Sequence, residues 1–356
     1  MKKYNFYAGP GILPRSVIEK AADAVLNFDR MDLSLLEISH RTINFERVIH
    51  EAEALVKELL FLDDEYSVMF LSGGASSQFF MVPMNLLKEG ETANYINTGV
   101  WSSGAIKEAK KLGPVDVIAS SENEKFTYIP KDFEVNPEAA YLHITSNNTI
   151  YGSQYQSFPN VNIPLVCDMS SDIFSRKIDG KDFGLIYAGA QKNMGAAGVT
   201  LVVINKDLVG RSKRNLPSML DYKQHIEKIS MFNTPPVFPI YVSLLTMRWI
   251  KEMGGVDSME ERNNLKAATL YEEIDRNSLF KGTIAKEDRS KMNLVFVTER
   301  PEVEVLFVDE CKRANIVGLA GHRSVGGFRA SLYNALELDS VQYLVDVMKE
   351  FERKYA

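Results

Sequence analysis

The chain has 356 residues, 45% of them hydrophobic and 25% charged, with a formal net charge of -6. That length exceeds one ordinary core and favours a large domain joined to a smaller one, with the composition of a soluble globular enzyme. The acidic balance argues against nonspecific binding to nucleic acid or an anionic membrane surface, and no apolar run reaches membrane-spanning length.

No apolar signal core follows Met1-Lys2-Lys3-Tyr4-Asn5, so a reducing cytoplasm is the expected setting. Cys167 and Cys311 form no CxxC pair, and both read as buried thiols. His40, His50, His143, His225 and His322 show no HExxH spacing, so no metal is expected.

Along the chain, Phe45, Val48, Ile49, Ala52, Leu55, Val56 and Leu59 repeat at helical spacing and predict an amphipathic helix. From about residue 65 to 205, short apolar runs alternate with helical ones. Residues 67–71, 93–97, 115–119, 140–145, 163–169, 185–190 and 199–204 read as strands. Their near-continuous Val, Ile, Leu and Tyr content suits a sheet covered on both faces. This is a doubly wound α/β pattern, in which ligands bind beyond the C-terminal ends of the strands. Gly254-Gly255 punctuates the chain. Beyond it come a helix over about 260–276, a strand at 293–298, a helix over about 303–314 and a Gly-rich hairpin. A closing helix carries Val341, Leu344, Val345 and Met348 on one face. We therefore expect a large α/β domain over 16–255 and a small α+β domain over 256–356, joined by segment 1–15.

Two strand ends carry the chemistry. One run closes on Val166-Cys167-Asp168, and a later one leads into Gly189-Ala190-Gln191-Lys192-Asn193. An acid after a strand serves as a turn or cap residue, and a lysine as a solvated charge. Lys192 is unusual in standing alone among Ala, Gly and Met, where an ammonium is costly unless paired or deprotonated. Together the two suit a pyridoxal phosphate site: a carboxylate for the pyridine nitrogen, and an amine for the imine that carries the cofactor. The turn Ser72-Gly73-Gly74-Ala75-Ser76-Ser77-Gln78 between a strand and a helix is either a tight connection or a phosphate cradle. It is neither a Walker loop nor a GxGxxG fingerprint. Trp101, just past a strand, either stacks on a cofactor ring or fills a core or interface. His40-Arg41, His322-Arg323 and Arg329 are surface ion-pair candidates that, beside glycines in an acidic chain, also suit a multiply anionic substrate.

Taken along the whole chain, these residues resemble the phosphoserine aminotransferases, class V members of the fold-type I pyridoxal phosphate enzymes. The resemblance rests on Gly9-Pro10, Ile38-Ser39-His40-Arg41, Asn97-Thr98-Gly99-Val100-Trp101 and Asn148-Thr149-Ile150-Tyr151-Gly152. It continues through Ala188-Gly189-Ala190-Gln191-Lys192-Asn193, Met231-Phe232-Asn233-Thr234-Pro235-Pro236 and Gly321-His322-Arg323 with Arg329-Ala330-Ser331. It implies a mostly parallel seven-stranded sheet flanked by helices. It makes Lys192 the imine lysine and proton shuttle, Asp168 the partner of the pyridine nitrogen, and Trp101 the stacking ring. Thr149 would bond the cofactor, and Ala75, Ser76 and Gln191 would hold its phosphate. Asn233 and Thr234 would serve the neighbouring subunit of a homodimer. Arg329 would grip the substrate carboxylate, and His40, Arg41, His322 and Arg323 would surround the distal anion.

The reaction implied is ping-pong exchange between glutamate and 3-phosphohydroxypyruvate in serine biosynthesis. The related phosphohydroxythreonine step of pyridoxine biosynthesis stays open. Some members carry Arg where Ser76 stands, which bears on phosphate binding, and Ser where Ala8 stands. Among alternatives, an alanine–glyoxylate type transaminase needs no phosphate-grade cluster. A cysteine desulfurase wants a reactive Cys on a mobile loop. A nicotinamide dehydrogenase wants the missing GxGxxG, and a noncatalytic phosphate-binding module has no use for Lys192 opposite Asp168.

Overall fold

A computed structural model describes residues 2–323 and 325–356. The chain opens with β1 (Tyr4–Asn5) and α1 (Arg15–Leu26), which buries Val17, Ala21 and Ala24 along one side. Helix α2 (Ile43–Leu59) buries all seven of the apolar positions that predicted it.

The large sheet comprises β2 (Tyr66–Leu71), β3 (Ala93–Asn97), β4 (Val115–Ser120), β5 (Leu142–Thr145), β6 (Leu165–Asp168), β7 (Leu185–Gly189) and β8 (Thr200–Asn205). Helices α3 (Gly74–Leu86) and α4 (Val100–Ala109) follow β2 and β3. The spatial order is β2-β8-β7-β6-β5-β3-β4. Neighbours from β7 to β4 pair in parallel, while β8 runs antiparallel to both β7 and β2. Six strands therefore point one way, and their C-terminal ends share one edge. The expectation of a sheet covered on both faces fails at β4, one of the two edge strands, where no residue is buried and Val117 is 39% exposed, whereas the other edge strand, β2, is buried throughout.

After α5 (Tyr222–Glu227), α6 (Val237–Glu252) packs along α2, tied by Arg248–Glu51 and Lys251–Glu58 at 2.5 and 2.6 Å. Gly254 and Gly255, at φ +99° and +75°, turn the chain into α7 (Gly255–Arg276) through a conformation that favours glycine. Val256 and Met259 of α7 belong to the large core, whereas Ala267, Leu270 and Ile274 belong to a second one. One continuous helix thus crosses the 255/256 border expected from sequence.

The second core lies on β9 (Lys281–Gly282), β10 (Asn293–Val297), α8 (Pro301–Arg313), β11 (Ile316–Val317), β12 (Phe328–Ser331) and α9 (Leu338–Tyr355). Strands β12-β10-β9 form an antiparallel sheet, and β11 pairs with β1. Phe280, Phe296, Phe307, Phe328 and Phe351 cluster at its centre, and Phe6 joins the same core. The predicted glycine hairpin closes through Gly321 N–H on the Gly327 carbonyl, 2.8 Å; Ser324 of that turn lies outside the described residues. Among the described residues no helix is long and apolar enough to cross a membrane.

Candidate active site

The C-terminal edge of the large sheet opens into a cavity of about 130 Å³ whose wall includes Ala75, Ser76, Trp101, Asp168, Gln191 and Lys192. Each is placed by local structure. Gly73 and Gly74, at φ +103° and +70°, fold β2 sharply into α3, leaving Ala75 and Ser76 in its first turn. No side chain caps that helix, so its first N–H groups remain available to an anion. Ser102 Oγ accepts from the Thr98 and Gly99 N–H groups at 2.9 and 3.0 Å, starting α4 so that Trp101 faces the cavity. A Cβ on Gly99 would lie 2.8 Å from Asn148 Oδ1, which explains glycine there.

Asp168 closes β6 and is 5% exposed. One carboxylate oxygen accepts the Ser170 N–H at 2.9 Å. Burial pushes its pKa above the usual range, opposed by the Ser170 hydrogen bonds and by Lys192. Lys192 Nζ donates to Thr149 Oγ1 at 2.8 Å and stands 5.8 Å from the Trp101 ring centre. Burial lowers the lysine to about 8; Asp168 resists that shift and Arg329 adds to it. An amine in this state is within reach of its neutral form near physiological pH.

Arg329, on β12, brings a residue of the small antiparallel sheet within electrostatic reach of Lys192. One guanidinium nitrogen donates to the Thr149 carbonyl at 3.2 Å, while its Nε is buried without a hydrogen-bond partner. An incompletely bonded guanidinium there is a ready carboxylate receptor. The charges acting on His322 are Arg329 and Arg323; with burial, they push its imidazole below its usual value. Arg323 is exposed.

Two further features escaped the sequence reading. The N-terminal strand-loop lies on the stem of Lys192: a Cβ at Gly11 would meet the Lys192 carbonyl at 3.0 Å and the Tyr333 ring at 2.7 Å. Tyr333 in turn donates its hydroxyl to the Ala8 carbonyl at 2.6 Å. Neither contact has a local signature.

The single chain does not gather every expected residue. Asn233 and Thr234 lie on the segment leading into α6, where Asn233 borders a separate cavity of about 40 Å³ with Ser72 and Pro235. His40 and Arg41 lie in the turn entering α2, beside α6. Arg41 is exposed, and His40 Nε2 is buried with no hydrogen-bond partner.

The sequence profile of class-V aminotransferases matches residues 3–344. The chain belongs to that family. Within the class-V aminotransferases it is 58% identical to the phosphoserine aminotransferase of Flavobacterium psychrophilum, over 99% of this chain and 100% of the relative. It is 56% identical to that of Bacteroides thetaiotaomicron, over 99% of each. The phosphoserine aminotransferase structure from Bacillus circulans subsp. alkalophilus superposes with a TM-score of 0.97 at 45% identity, covering 100% of this chain and 99% of the other. A PLP-bound phosphoserine aminotransferase from Trichomonas vaginalis gives 0.93 at 36% identity, covering 98% and 100%.

The cavity suits the cofactor of such aminotransferases on three structural grounds. The uncapped start of α3 offers donors to a phosphate. Asp168 has a carboxylate oxygen beyond the one bonded to Ser170. The amine of Lys192 is held to one hydroxyl and within reach of neutrality.

Proposed function

We propose that the chain transfers the amino group of glutamate to 3-phosphohydroxypyruvate, giving 2-oxoglutarate and O-phosphoserine, with pyridoxal phosphate as cofactor. The observation that carries this reading is the cavity walled by Asp168 and Lys192, with Arg329 of the second core close enough for its charge to act on that lysine. The identity to phosphoserine aminotransferases over the full chain supports the substrate pair. Pyridoxal phosphate supplies an aldehyde that accepts the amino group and a ring that draws off electron density from the substrate Cα.

The chain's own residues do the rest. Asp168 would pair with the ring nitrogen of the bound cofactor and favour its protonated form. The first turn of α3, with Ala75 and Ser76, and Gln191 bind the phosphate. Trp101 covers the ring, and Thr149 fixes the amine of Lys192. Arg329 orients the substrate carboxylate, which aims the Cα hydrogen at Lys192. The neutral amine removes that proton and restores one. Glutamate and the keto acid each present a distal anion, and His322 and Arg323 extend from Arg329 to receive it.

His40, Arg41, Asn233 and Thr234 fit this scheme as contributions to a second copy's cavity. Both segments sit at the same end of the α2–α6 pair. Leu33, Leu36 and Ile43, which flank His40 and Arg41, are 46%, 61% and 64% exposed, an apolar surface suited to a homodimer. Arg41→Ala is then expected to raise KM for glutamate and for 3-phosphohydroxypyruvate about tenfold or more. Steady-state kinetics with each substrate varied checks this, and an unchanged KM for both removes Arg41 from the anion pocket.

Capture of the cofactor should depend on pH through Lys192. With its amine at about 8, the neutral fraction rises across that pH, so the cofactor-free protein takes up pyridoxal phosphate about tenfold faster at pH 9 than at pH 7. Visible absorbance follows the uptake, and a flat profile between those values contradicts the assignment. The functional reading as a whole is tested by incubating the purified yellow protein with glutamate. The visible band should disappear, then return on adding 3-phosphohydroxypyruvate with one O-phosphoserine formed per site. A protein that binds no pyridoxal phosphate refutes it.

A further inference from the structure

Asp172, one turn past Asp168, is a second buried carboxylate, 5% exposed, with no part in the scheme above. One of its oxygens accepts the Ser146 hydroxyl, and the other accepts the Gln154 amide at 3.1 Å. The Arg176 guanidinium lies 3.7 Å from the latter oxygen. Arg176 is itself pinned by the carbonyls of Tyr155 and Gln156 at 2.6 and 3.1 Å and by the Phe158 ring at 4.9 Å. Ser146 also reaches the other way: its N–H and hydroxyl both lie 3.0 Å from the Asp168 carbonyl oxygen. Ser146 therefore links the second carboxylate to the backbone of the first, with its hydroxyl donating to Asp172 and its N–H to the Asp168 carbonyl.

A buried ion pair is an inefficient fastener, because apolar side chains of similar volume hold a turn as well or better. Its charge, however, is weakly screened inside the protein. The charged groups that face Lys192 are Asp168, Asp172 and Arg329, and those that face Asp172 are Arg176 and Lys192. Its charge also acts on the thiol of Cys167 and the carboxylate of Asp168. Arg176 is anchored by backbone carbonyls, and the charge of Asp172 acts on Lys192.

We propose that Asp172 is a positioning residue of the cofactor site: through Ser146 it fixes the end of β6 so that Asp168 meets the ring nitrogen, and its charge supports the proton held there. The proposal rests on the pyridoxal phosphate reading above. It agrees with the electrostatics, in which Asp172 raises both Asp168 and Lys192.

Asp172→Asn keeps the side chain's size and one acceptor oxygen while removing the charge; its amide nitrogen cannot accept, so one of the hydrogen bonds from Ser146 and Gln154 is given up. Two readouts apply. In the cofactor-free protein, the pH dependence of Lys192 acylation, followed by peptide mass spectrometry, reports the amine directly. Its midpoint should fall by about half a pH unit or more relative to wild type. The dissociation constant for pyridoxal phosphate, from equilibrium dialysis, should rise about tenfold. A purely structural Asp172 would lower Tm and leave the midpoint in place, and an unmoved midpoint overturns the proposal. Should Asp172→Asn not fold, Ser146→Ala tests the bridge with both charges kept. Its affinity should fall about fivefold, and unchanged affinity overturns the proposal. Wild-type protein that binds no cofactor would instead refute the underlying functional reading.

Discussion

Lys192→Ala is expected to lower kcat by about 10^4-fold or more. On the proposed scheme the amine has two duties, cofactor attachment and proton movement at the substrate Cα, and no other residue in the cavity wall can take over either. The described wall around it offers hydroxyls, amides and one carboxylate, Asp168, but no second lysine or histidine. Lys192→Arg should fail as well, because a guanidinium keeps its proton at every working pH. Small primary amines added to Lys192→Ala should restore part of the rate, since a free amine can both condense with the cofactor and act as the base. Single-turnover absorbance with glutamate measures all three, and a rate within tenfold of wild type for Lys192→Ala would remove the residue from the mechanism.

Asp168→Asn should cost about 10^2–10^3-fold in kcat. The amide fits the same space and still accepts the Ser170 N–H through its oxygen, so the loss isolates the charge. Without a carboxylate the ring nitrogen has no partner for its proton, and electron withdrawal from the substrate Cα weakens. The sign of the pH dependence follows from burial. The Asp168 carboxyl titrates above the ordinary aspartate value of about 3.9, so an acid limb governed by it lies higher than for an exposed aspartate. Activity is lost as pH falls through that raised value. Rate profiles of the wild type and the Asn variant, both saturated with cofactor, give the comparison.

The parts of the molecule that were legible in the sequence are those governed by local rules. The seven apolar positions of α2 repeat at the helical period, and all are buried. Apolar runs mark β2 to β8 to within about two residues, because strands covered on both faces need no alternation. Strand ends then placed Asp168 and Lys192 without reference to any contact. By contrast, α6 buries Ile240, Val242, Leu244, Leu245 and Met247 on several sides, so it shows no single stripe and went unread. The exposure of β4 is not set by edge position alone, since β2 at the opposite edge is buried throughout; it depends on what packs over each face.

Long-range contacts were the other silent part. Nothing around Gly11 announces that it lies against Lys192 and Tyr333, and nothing around Arg329 announces that it reaches the Thr149 carbonyl. The separation of His40, Arg41, Asn233 and Thr234 from the cavity of their own chain is likewise a property of packing between α2 and α6. Residue type identified these side chains as candidates; only the fold shows which of them one chain can bring together.

Reduction of the holoprotein with borohydride, followed by proteolysis and mass mapping, addresses the central assignment most directly. The account predicts one pyridoxyl-bearing peptide, spanning Gly189 to Gly195, with the added mass on the side chain at 192. A stable adduct on any other lysine, with that peptide unmodified, would contradict it.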